Sequence, residues 1–172
     1  MNASIETSDP SVRLRFATRA DIPLILAFIR ELAEYERAPE AVVADEATLA
    51  ESLFGERPGA EVVIAEVDGA PAGFALFFHN FSTWLGKRGL YLEDLFVRPQ
   101  FRGRGLGLLL MRYLAKLAVE RDCGRFEWWV LDWNTPAIDF YRRLGAVAMD
   151  EWTVQRIDGE ALHKLAGEFT SP

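Results

Sequence analysis

The sequence predicts an α/β (α+β) protein built on a mixed central β-sheet with about four flanking helices. An apolar strand at Leu90–Val97 runs through a glycine-rich turn into an apolar helical segment, which is the order of a strand, a turn and a helix. Asp68-Gly69 separates two apolar runs and predicts a hairpin. The nearly continuous apolar run at Phe126–Leu131 fits a strand covered on both faces, as parallel strands are.

Length and composition limit the class of protein. The chain has 172 residues, of which 50% are hydrophobic and 26% charged, and these values are typical of one soluble globular domain. A single cysteine excludes an internal disulfide, and because no cysteine–histidine cluster occurs we expect no metal. Without an apolar leader or a run of membrane-spanning length, we expect a cytoplasmic protein with no membrane partner. The net charge of −7 argues against a nucleic-acid partner and permits cationic small substrates.

The first half of the chain contains a polar tail followed by strand and helix signals. Residues 1–11 carry no periodicity, so we expect a disordered tail and then a single domain at residues 12–168. The predicted elements before the central strand are a strand at Val12–Phe16, a helix ending near Tyr35, a short helix from Asp45 to Gly55, and strands at Glu61–Val67 and Pro71–Phe81. From pattern alone Glu36 is a surface charge, and Trp84 either packs over the hairpin or faces a substrate.

Two adjacent acids, Glu93 and Asp94, lie within the central strand. Strict alternation places Glu93 on one face and Asp94 on the other, so both can face one cleft only if the strand is bulged near them. Because burying an unpaired carboxylate is costly, at least one of the two should have a cationic or donor partner. A bulge would also leave a backbone N–H free to point at a ligand.

The segment after this strand, Arg102-Gly103-Arg104-Gly105-Leu106-Gly107, predicts an anion site. Glycines let a phosphate approach main-chain nitrogens closely, and the helix that follows directs the positive end of its dipole at the same place. The dinucleotide-binding fingerprint fails because Leu108 occupies the position of its third glycine, and the Gly-Lys-Ser/Thr of a Walker A loop is missing. The alternative is an ordinary glycine-rich turn between a strand and a helix.

The rest of the chain continues the alternation of helices and strands. The predicted elements are a helix at about Gly105–Asp122, the strand at Phe126–Leu131, a helix capped by Asn134 with Pro136 in its first turn, two short strands within Ala146–Asp158, and a weakly helical tail holding Leu162 and Leu165. Tyr141 lies at core spacing on the helix that Asn134 caps. By this period alone it is a core residue.

Several segments together resemble the GNAT superfamily of acyl-CoA N-acyltransferases, in particular its diamine acetyltransferases and their thialysine branch. The segments are RELAEYE, STWLGK, YLEDLFV, RGRGLG, VLDWN and FYRRLGA, and the resemblance runs from about Val12 to Gly167. It implies the GNAT fold with splayed fourth and fifth strands. It also implies acetyl-CoA as co-substrate, direct attack by the amine in a ternary complex, and a homodimer.

The resemblance implies a role for each matching residue. The residues implied to bind acetyl-CoA are Leu95, Phe96 and Val97 on the strand, Arg102, Gly103, Arg104, Gly105, Leu106 and Gly107 in the loop, and Asn134, Thr135, Pro136, Ala137, Tyr141 and Arg143 on the fourth helix and its cap. Tyr141 matches the tyrosine that protonates the departing CoA thiolate. Glu93 matches the glutamate that helps to remove the amine proton through water. The residues implied to bind substrate are Tyr35, Glu36, Trp84, Glu93 and Asp94.

One departure from the family pattern bears on the substrate. Polyamine-acetylating relatives carry an acid and a proline before the loop tryptophan, whereas this chain has Ser82-Thr83. We therefore expect a small amine that also bears a carboxylate, such as thialysine or a lysine-like amino acid, with a polyamine such as spermidine or spermine as the alternative. A toxin that acetylates aminoacyl-tRNA would need a basic docking face, which the composition disfavours. A non-catalytic acyl-CoA-binding module is disfavoured by the presence of Glu93 and Tyr141.

Overall fold

The structure is a computed structural model that describes residues 5–169. These residues form two compact units, the first ending at Trp129 and the second beginning at Val130, and each unit is described by itself. The elements of the first unit are β1 (Val12–Phe16), α1 (Ile22–Tyr35), α2 (Glu46–Phe54), β2 (Glu61–Val67), β3 (Ala70–Ser82), β4 (Lys87–Val97), α3 (Leu106–Glu120) and β5 (Phe126–Trp128). The second unit contains α4 (Thr135–Arg143) and α5 (Gly159–Gly167).

The first unit contains a five-stranded mixed sheet in the order β1-β2-β3-β4-β5, so the predicted fold class is confirmed. The first four strands are antiparallel neighbours, whereas β4 and β5 are parallel. Because a parallel pair needs a crossover, α3 connects these two strands. Within the described residues the β4–β5 ladder covers only Leu90–Leu92, although β4 continues to Val97. This early end of the pairing is the predicted splay of the fourth and fifth strands.

Helices cover both faces of the sheet. On one face, α1 and α2 contribute buried residues such as Phe28 and Leu53 to a core that includes Phe74 and Phe96 from the sheet. The rings of Phe28 and Phe74 are stacked with centroids 5.1 Å apart. On the other face, Leu106 at the start of α3 packs in a second core cluster with Val12, Val67 and Ala72. We call these the α1 face and the α3 face.

The central strand is bulged at its acids. Phe77 of β3 pairs with Leu92 and the preceding Leu76 pairs with Asp94, so Glu93 is the extra residue. The strand therefore has the bulge that would allow both acids to face one cleft. The strict alternation of faces expected from Leu92 through Glu93 to Asp94 does not hold. Because the bulge absorbs one residue, Tyr91 and Asp94 both lie on the α1 face, opposite partners that are two residues apart in β3.

An ion pair fixes the end of β4 against α1. The guanidinium of Arg98 donates to both carboxylate oxygens of Glu31 at 2.7–3.2 Å and lies 4.7 Å from the centroid of the Phe28 ring. It also donates to the carbonyl of Pro71 at 3.1 Å. Gly73 allows β3 to approach closely, since a Cβ there would lie 2.4 Å from the Phe96 carbonyl oxygen. The point at which β4 enters the glycine loop is thus rigidly placed.

The second unit differs in part from the prediction. Asn134 caps α4 as predicted, because its side chain accepts from the Ala137 N–H at 3.4 Å, and Gly145 has a φ of 90° after the helix. The two strands predicted within Ala146–Asp158 are wrong, since the described residues there form no ladder. A strand persists only where a neighbour supplies ladder partners, and the sheet ends at β5. The fifth strand is also shorter than predicted, because its pairing with β4 ends at Trp128.

The segment before β1 makes specific contacts where it is described. Ile5 and Leu14 exchange backbone hydrogen bonds of 2.8 and 3.3 Å, and the Thr7 hydroxyl donates to the Val12 carbonyl at 2.7 Å. Residues 1–4 of the predicted tail lie outside the described residues. Disorder of the tail and a single domain at residues 12–168 stay predictions.

Candidate active site

The loop between β4 and α3 leaves open space above its glycines. Gly103 and Gly105 have φ values of 76° and 77°, in the left-handed region that glycine adopts without strain. A Cβ built on Gly103, Gly105 or Gly107 would meet nothing within 4 Å. The glycines therefore serve the turn conformation and leave the main chain accessible from outside.

The start of α3 presents unpaired backbone donors at this open space. Gly105 is the N-cap and provides no side-chain hydrogen bond, and the first bond of the helix runs from the Leu109 N–H to the Gly105 carbonyl at 2.9 Å. The N–H groups of residues 106–108 precede that bond, so helix geometry gives them no acceptor within α3. In α2, by contrast, the Asp45 carboxylate accepts from the Thr48 N–H at 2.7 Å. An uncapped helix start with a glycine approach suits an anion such as a pyrophosphate.

Arg102 links this loop to the end of α1. Its Nε donates to the Val97 carbonyl at 3.0 Å. Its guanidinium carbon lies 5.0 Å from the centroid of the Tyr35 ring and 5.8 Å from that of Phe96. The structure therefore brings Tyr35, predicted at the substrate end, next to the predicted anion loop. The cation–aromatic contacts hold the arginine charge at the junction between the two.

The strand residues predicted to pair with pantetheine run between the acids and the loop. Phe96 is buried, whereas Leu95 and Val97 are half-buried. Their ladder partners are in β3, and β4 makes no described ladder pair with β5 beyond Leu92. One edge of this stretch therefore carries main-chain groups of the kind that an extended amide-containing ligand pairs with.

Three acids lie together on the α1 face beside the bulge. Burial is the main cause that raises the pKa of Asp94 to about 6, and the charges of Glu93 and Glu36 contribute to the same rise. Burial also raises the pKa of Glu36, which is the C-cap of α1. Neither Glu93 nor Asp94 has a side-chain hydrogen bond or ion pair among residues 5–169, so the expected cationic or donor partner is not found in the part of the chain that the structure describes. A cationic ligand at this cluster would supply the missing counter-charge.

A second polar group, missed by the sequence reasoning, lies farther along the same face. Glu127 of β5 is opposite Tyr91, and its carboxylate accepts from the Asn80 amide at 2.9 Å and contacts Arg125 Nε at 2.7 Å. Burial raises the pKa of the Tyr91 hydroxyl, with smaller contributions from the charges of Glu93 and Glu127. The sequence signal for this group is the single acid, Glu127, inside the aromatic run FEWWVL. A strand covered by apolar groups on both faces does not require an acid there.

The other predicted site residues are not gathered at this cluster within the first unit. Trp84 is 87% exposed in the turn that joins β3 to β4, and Lys87 after that turn is six residues, roughly 20 Å of strand, from Glu93. Tyr141, Arg143 and the capping segment from Asn134 to Ala137 belong to the second unit. Tyr141 is half-buried on α4, with its ring centroid 5.3 Å from that of Phe140.

Residues 5–169 hold neither a candidate metal site nor a candidate membrane span. No three histidine, cysteine or acidic residues in this range are placed to hold a metal ion. No helix in the same range is both long and apolar enough to span a membrane.

Comparisons with known proteins place the chain in a family. The sequence model of the acetyltransferase (GNAT) family matches residues 26–146. The thialysine N-epsilon-acetyltransferase of Sus scrofa is 40% identical over 169 residues, which cover 92% of this chain and 99% of that protein. The L-ornithine N5-acetyltransferase NATA1 of Arabidopsis thaliana is 34% identical over 198 residues, covering 89% of this chain and 87% of that protein.

A solved structure agrees with these relatives. The integron cassette protein VCH_CASS6 from the mobile metagenome of V. cholerae superposes with a TM-score of 0.78 at 31% identity, over 92% of this chain and 99% of that one. The family match covers more than half of the chain, and the sheet, the splay and the glycine loop have the expected order. The chain belongs to the acetyltransferase (GNAT) family and is an acyltransferase enzyme.

Proposed function

We propose that the chain transfers the acetyl group of acetyl-CoA to the side-chain amine of a small diamino acid such as thialysine. The observation that carries the proposal is the order of features along β4, where a bulged pair of acids is followed within one strand by an uncapped glycine loop. Asp94 and Val97 are three residues apart, or roughly 10 Å along the strand. A cation site and an anion site at this separation suit an amine and an acyl-CoA that react with each other.

Acetyl-CoA would be held by main-chain groups of the first unit. The donors at the start of α3 and in the loop would bind the pyrophosphate, and the edge of β4 at residues 95–97 would pair with the pantetheine amides. Arg102 and Arg104 add positive charge at this end of an acidic protein. The bound thioester supplies the acyl group. From the second unit, we propose that residues 134–137 and Arg143 line the CoA side, as the resemblance implies.

The acid cluster would bind the amine and take its proton. An ammonium has no lone pair, so the substrate must be deprotonated before it attacks. Glu93 is exposed beside the bulge and is the proposed acceptor, acting through water, while Asp94 with a pKa of about 6 is a second group poised near neutral pH. Tyr35 and Glu36 extend the cluster toward the anion loop.

Two further groups complete the proposed reaction. The bulge at Glu93 leaves a main-chain N–H out of the ladder, and such a donor stabilises negative charge that develops on a carbonyl oxygen. Tyr141 is proposed to protonate the departing thiolate, and support for this role comes from the resemblance of FYRRLGA to the family motif. Trp84 is proposed to contact substrate on the same ground.

The two relatives described above favour an amino-acid substrate. Each is named for acetylation of an amino acid whose side chain ends in an amine, and one of them is 40% identical to this chain. A polyamine is the second candidate, because three acids on one face can bind more than one ammonium group.

The proposal is tested by acetyl-CoA turnover against four amines. We expect kcat/KM to be highest for thialysine, followed by lysine, with putrescine and spermidine lower by at least tenfold. Spermidine as the best of the four would favour the polyamine candidate. No acetylation of any amine in the panel would contradict the proposed function. The homodimer and the cytoplasmic location stay predictions, and light scattering of the purified protein checks the first.

A further inference from the structure

A polar group of the first unit lies on the α1 face, separated from the acid cluster by one aromatic residue. Asn80 of β3 pairs with Gly89 of β4, and Tyr91 pairs with Glu127 of β5. Arg125 is level with this group, because its carbonyl accepts from the Leu90 N–H at 3.0 Å. Facing residues of neighbouring strands share a face, so these side chains form one patch.

The patch is packed and is not a set of loose surface side chains. The Glu127 carboxylate lies 2.9 Å from the Asn80 amide nitrogen and 2.7 Å from Arg125 Nε. Gly89 makes room for them, since a Cβ there would lie 2.2 Å from Asn80 Oδ1 and 3.0 Å from Arg125 Cγ. The arginine side chain therefore lies across the strand, and its exposed fraction is 37%.

The two terminal guanidinium nitrogens of Arg125 are available to bind a ligand. Its Nε lies 2.7 Å from the Glu127 carboxylate without the geometry of a hydrogen bond, and its two terminal nitrogens make no hydrogen bond among residues 5–169. A guanidinium held by one edge presents the remaining donors to a carboxylate in a planar, bidentate geometry. Glu127 and Asn80 thus serve to orient Arg125.

We propose that Arg125 is the specificity-determining residue that binds the α-carboxylate of the substrate, oriented by Glu127 and Asn80. This inference rests on the proposed function. Arg125 lies beside Gly89, which faces Asn80 of β3, whereas Asp94 faces Leu76. Asn80 and Leu76 are four residues, or roughly 13 Å, apart along β3. An extended diamino acid with a hydrogen bond at each end spans roughly 10–13 Å. With its side-chain amine at the acid cluster, its carboxylate reaches Arg125.

The wall between the two charged ends is aromatic. Tyr91 lies 5.0 Å from Phe78 and 5.9 Å from Trp129, measured between ring centroids. Such a wall packs the methylene or thioether part of the substrate. A polyamine placed in the same way would bring an ammonium group against the guanidinium of Arg125, so the same residue disfavours it.

The Ser82-Thr83 segment also carries hydroxyl donors, but it is a poorer carboxylate site in this chain. Ser82 is only 7% exposed, so little of its hydroxyl is open to a ligand. It is also two residues farther along β3 than Asn80, away from the acids. Arg125 is nearer and carries the complementary charge.

A matched pair of substrates tests the inference. Thialysine and bis(2-aminoethyl) sulfide have the same reacting amine and differ only in the carboxylate. We expect Arg125→Met, which keeps most of the apolar stem, to lower kcat/KM for thialysine roughly 10- to 100-fold, chiefly through KM. The value for the sulfide should not fall and should rise if anything, because its second ammonium group no longer meets the guanidinium. Arg88→Met, which removes an exposed arginine at a β4 position opposite Phe81, should change neither.

The outcomes separate this inference from the function on which it rests. An equal loss for both substrates would show a merely structural role and overturn the inference. An unchanged preference for thialysine in a folded Arg125→Met variant would also overturn it, while the acetyltransferase proposal stands. If the unmodified protein acetylates neither substrate, the proposed function fails and the inference fails with it.

Discussion

Replacing Asp94 by asparagine should stabilise the protein at neutral and alkaline pH. The environment raises the pKa of Asp94 from 3.8 to about 6, because it is buried and lies near Glu93 and Glu36. The folded state therefore holds more protons than the unfolded state between these two values. The stability that this provides is fully present below pH 3.8 and is lost as the pH rises through 6.

The size of the effect follows from the two pKa values. Their difference of about 2, at 1.36 kcal/mol for each pH unit, corresponds to ~3 kcal/mol of unfolding free energy lost above pH 7. Asparagine is uncharged at every pH and nearly isosteric. We expect Asp94→Asn to be more stable than the unmodified protein by ~1–3 kcal/mol at pH 8 and equally stable near pH 3.5, with lower kcat/KM.

Urea unfolding followed by tryptophan fluorescence, at both pH values, measures this difference. Asp68→Asn is the matched control. Asp68 is exposed in the β2–β3 turn with a φ of 50°, a conformation that asparagine also tolerates, so its substitution should leave stability unchanged. The reasoning is refuted if Asp94→Asn is no more stable than the unmodified protein at pH 8. It is refuted equally if the gain persists at pH 3.5.

Three further predictions concern the loop and the proposed acid and base. Gly105→Val should raise the Kd for acetyl-CoA, measured by calorimetry, at least tenfold. Gly69→Val is the control, because Gly69 has a similar φ of 79°, and it should leave this Kd unchanged. If Gly105→Val and the unmodified protein bind acetyl-CoA equally well, the loop is not part of the site. Tyr141→Phe should lower kcat by ~10²–10⁴-fold, and a kcat within about threefold of the unmodified value would make Tyr141 a core residue. Glu93→Gln should depress the acidic limb of the kcat/KM–pH profile, and an unaltered limb would assign proton removal to Asp94 or to solvent.

Local signals were sufficient to predict most of the fold. The hairpin at Asp68-Gly69, the start of the short helix at Asp45 and the glycine-rich turn into α3 each depend on a few neighbouring residues, and the structure contains all three. Strand ends were less predictable, because β5 ends where its ladder with β4 ends, and that depends on the neighbouring strand.

The geometry of the site could be predicted only conditionally. The sequence shows two adjacent acids, but whether they share a side depends on the one-residue shift between β3 and β4 at Glu93. The raised pKa of Asp94 depends first on burial and then on the charges of Glu93 and Glu36, and Glu36 is far away in sequence and looked like a surface charge. Arg125 and Glu127 were not predicted as site residues, because the groups that they contact depend on which strands lie beside β5.

The central claim is that this chain moves an acetyl group from acetyl-CoA to the side-chain amine of a diamino acid. Mass spectrometry and NMR of the product formed from thialysine and acetyl-CoA test it most directly. The account predicts one acetyl group per CoA released, carried on the side-chain amine and leaving the α-amine free. Release of CoA without an acetylated amine, or no consumption of acetyl-CoA by the folded protein, would contradict it.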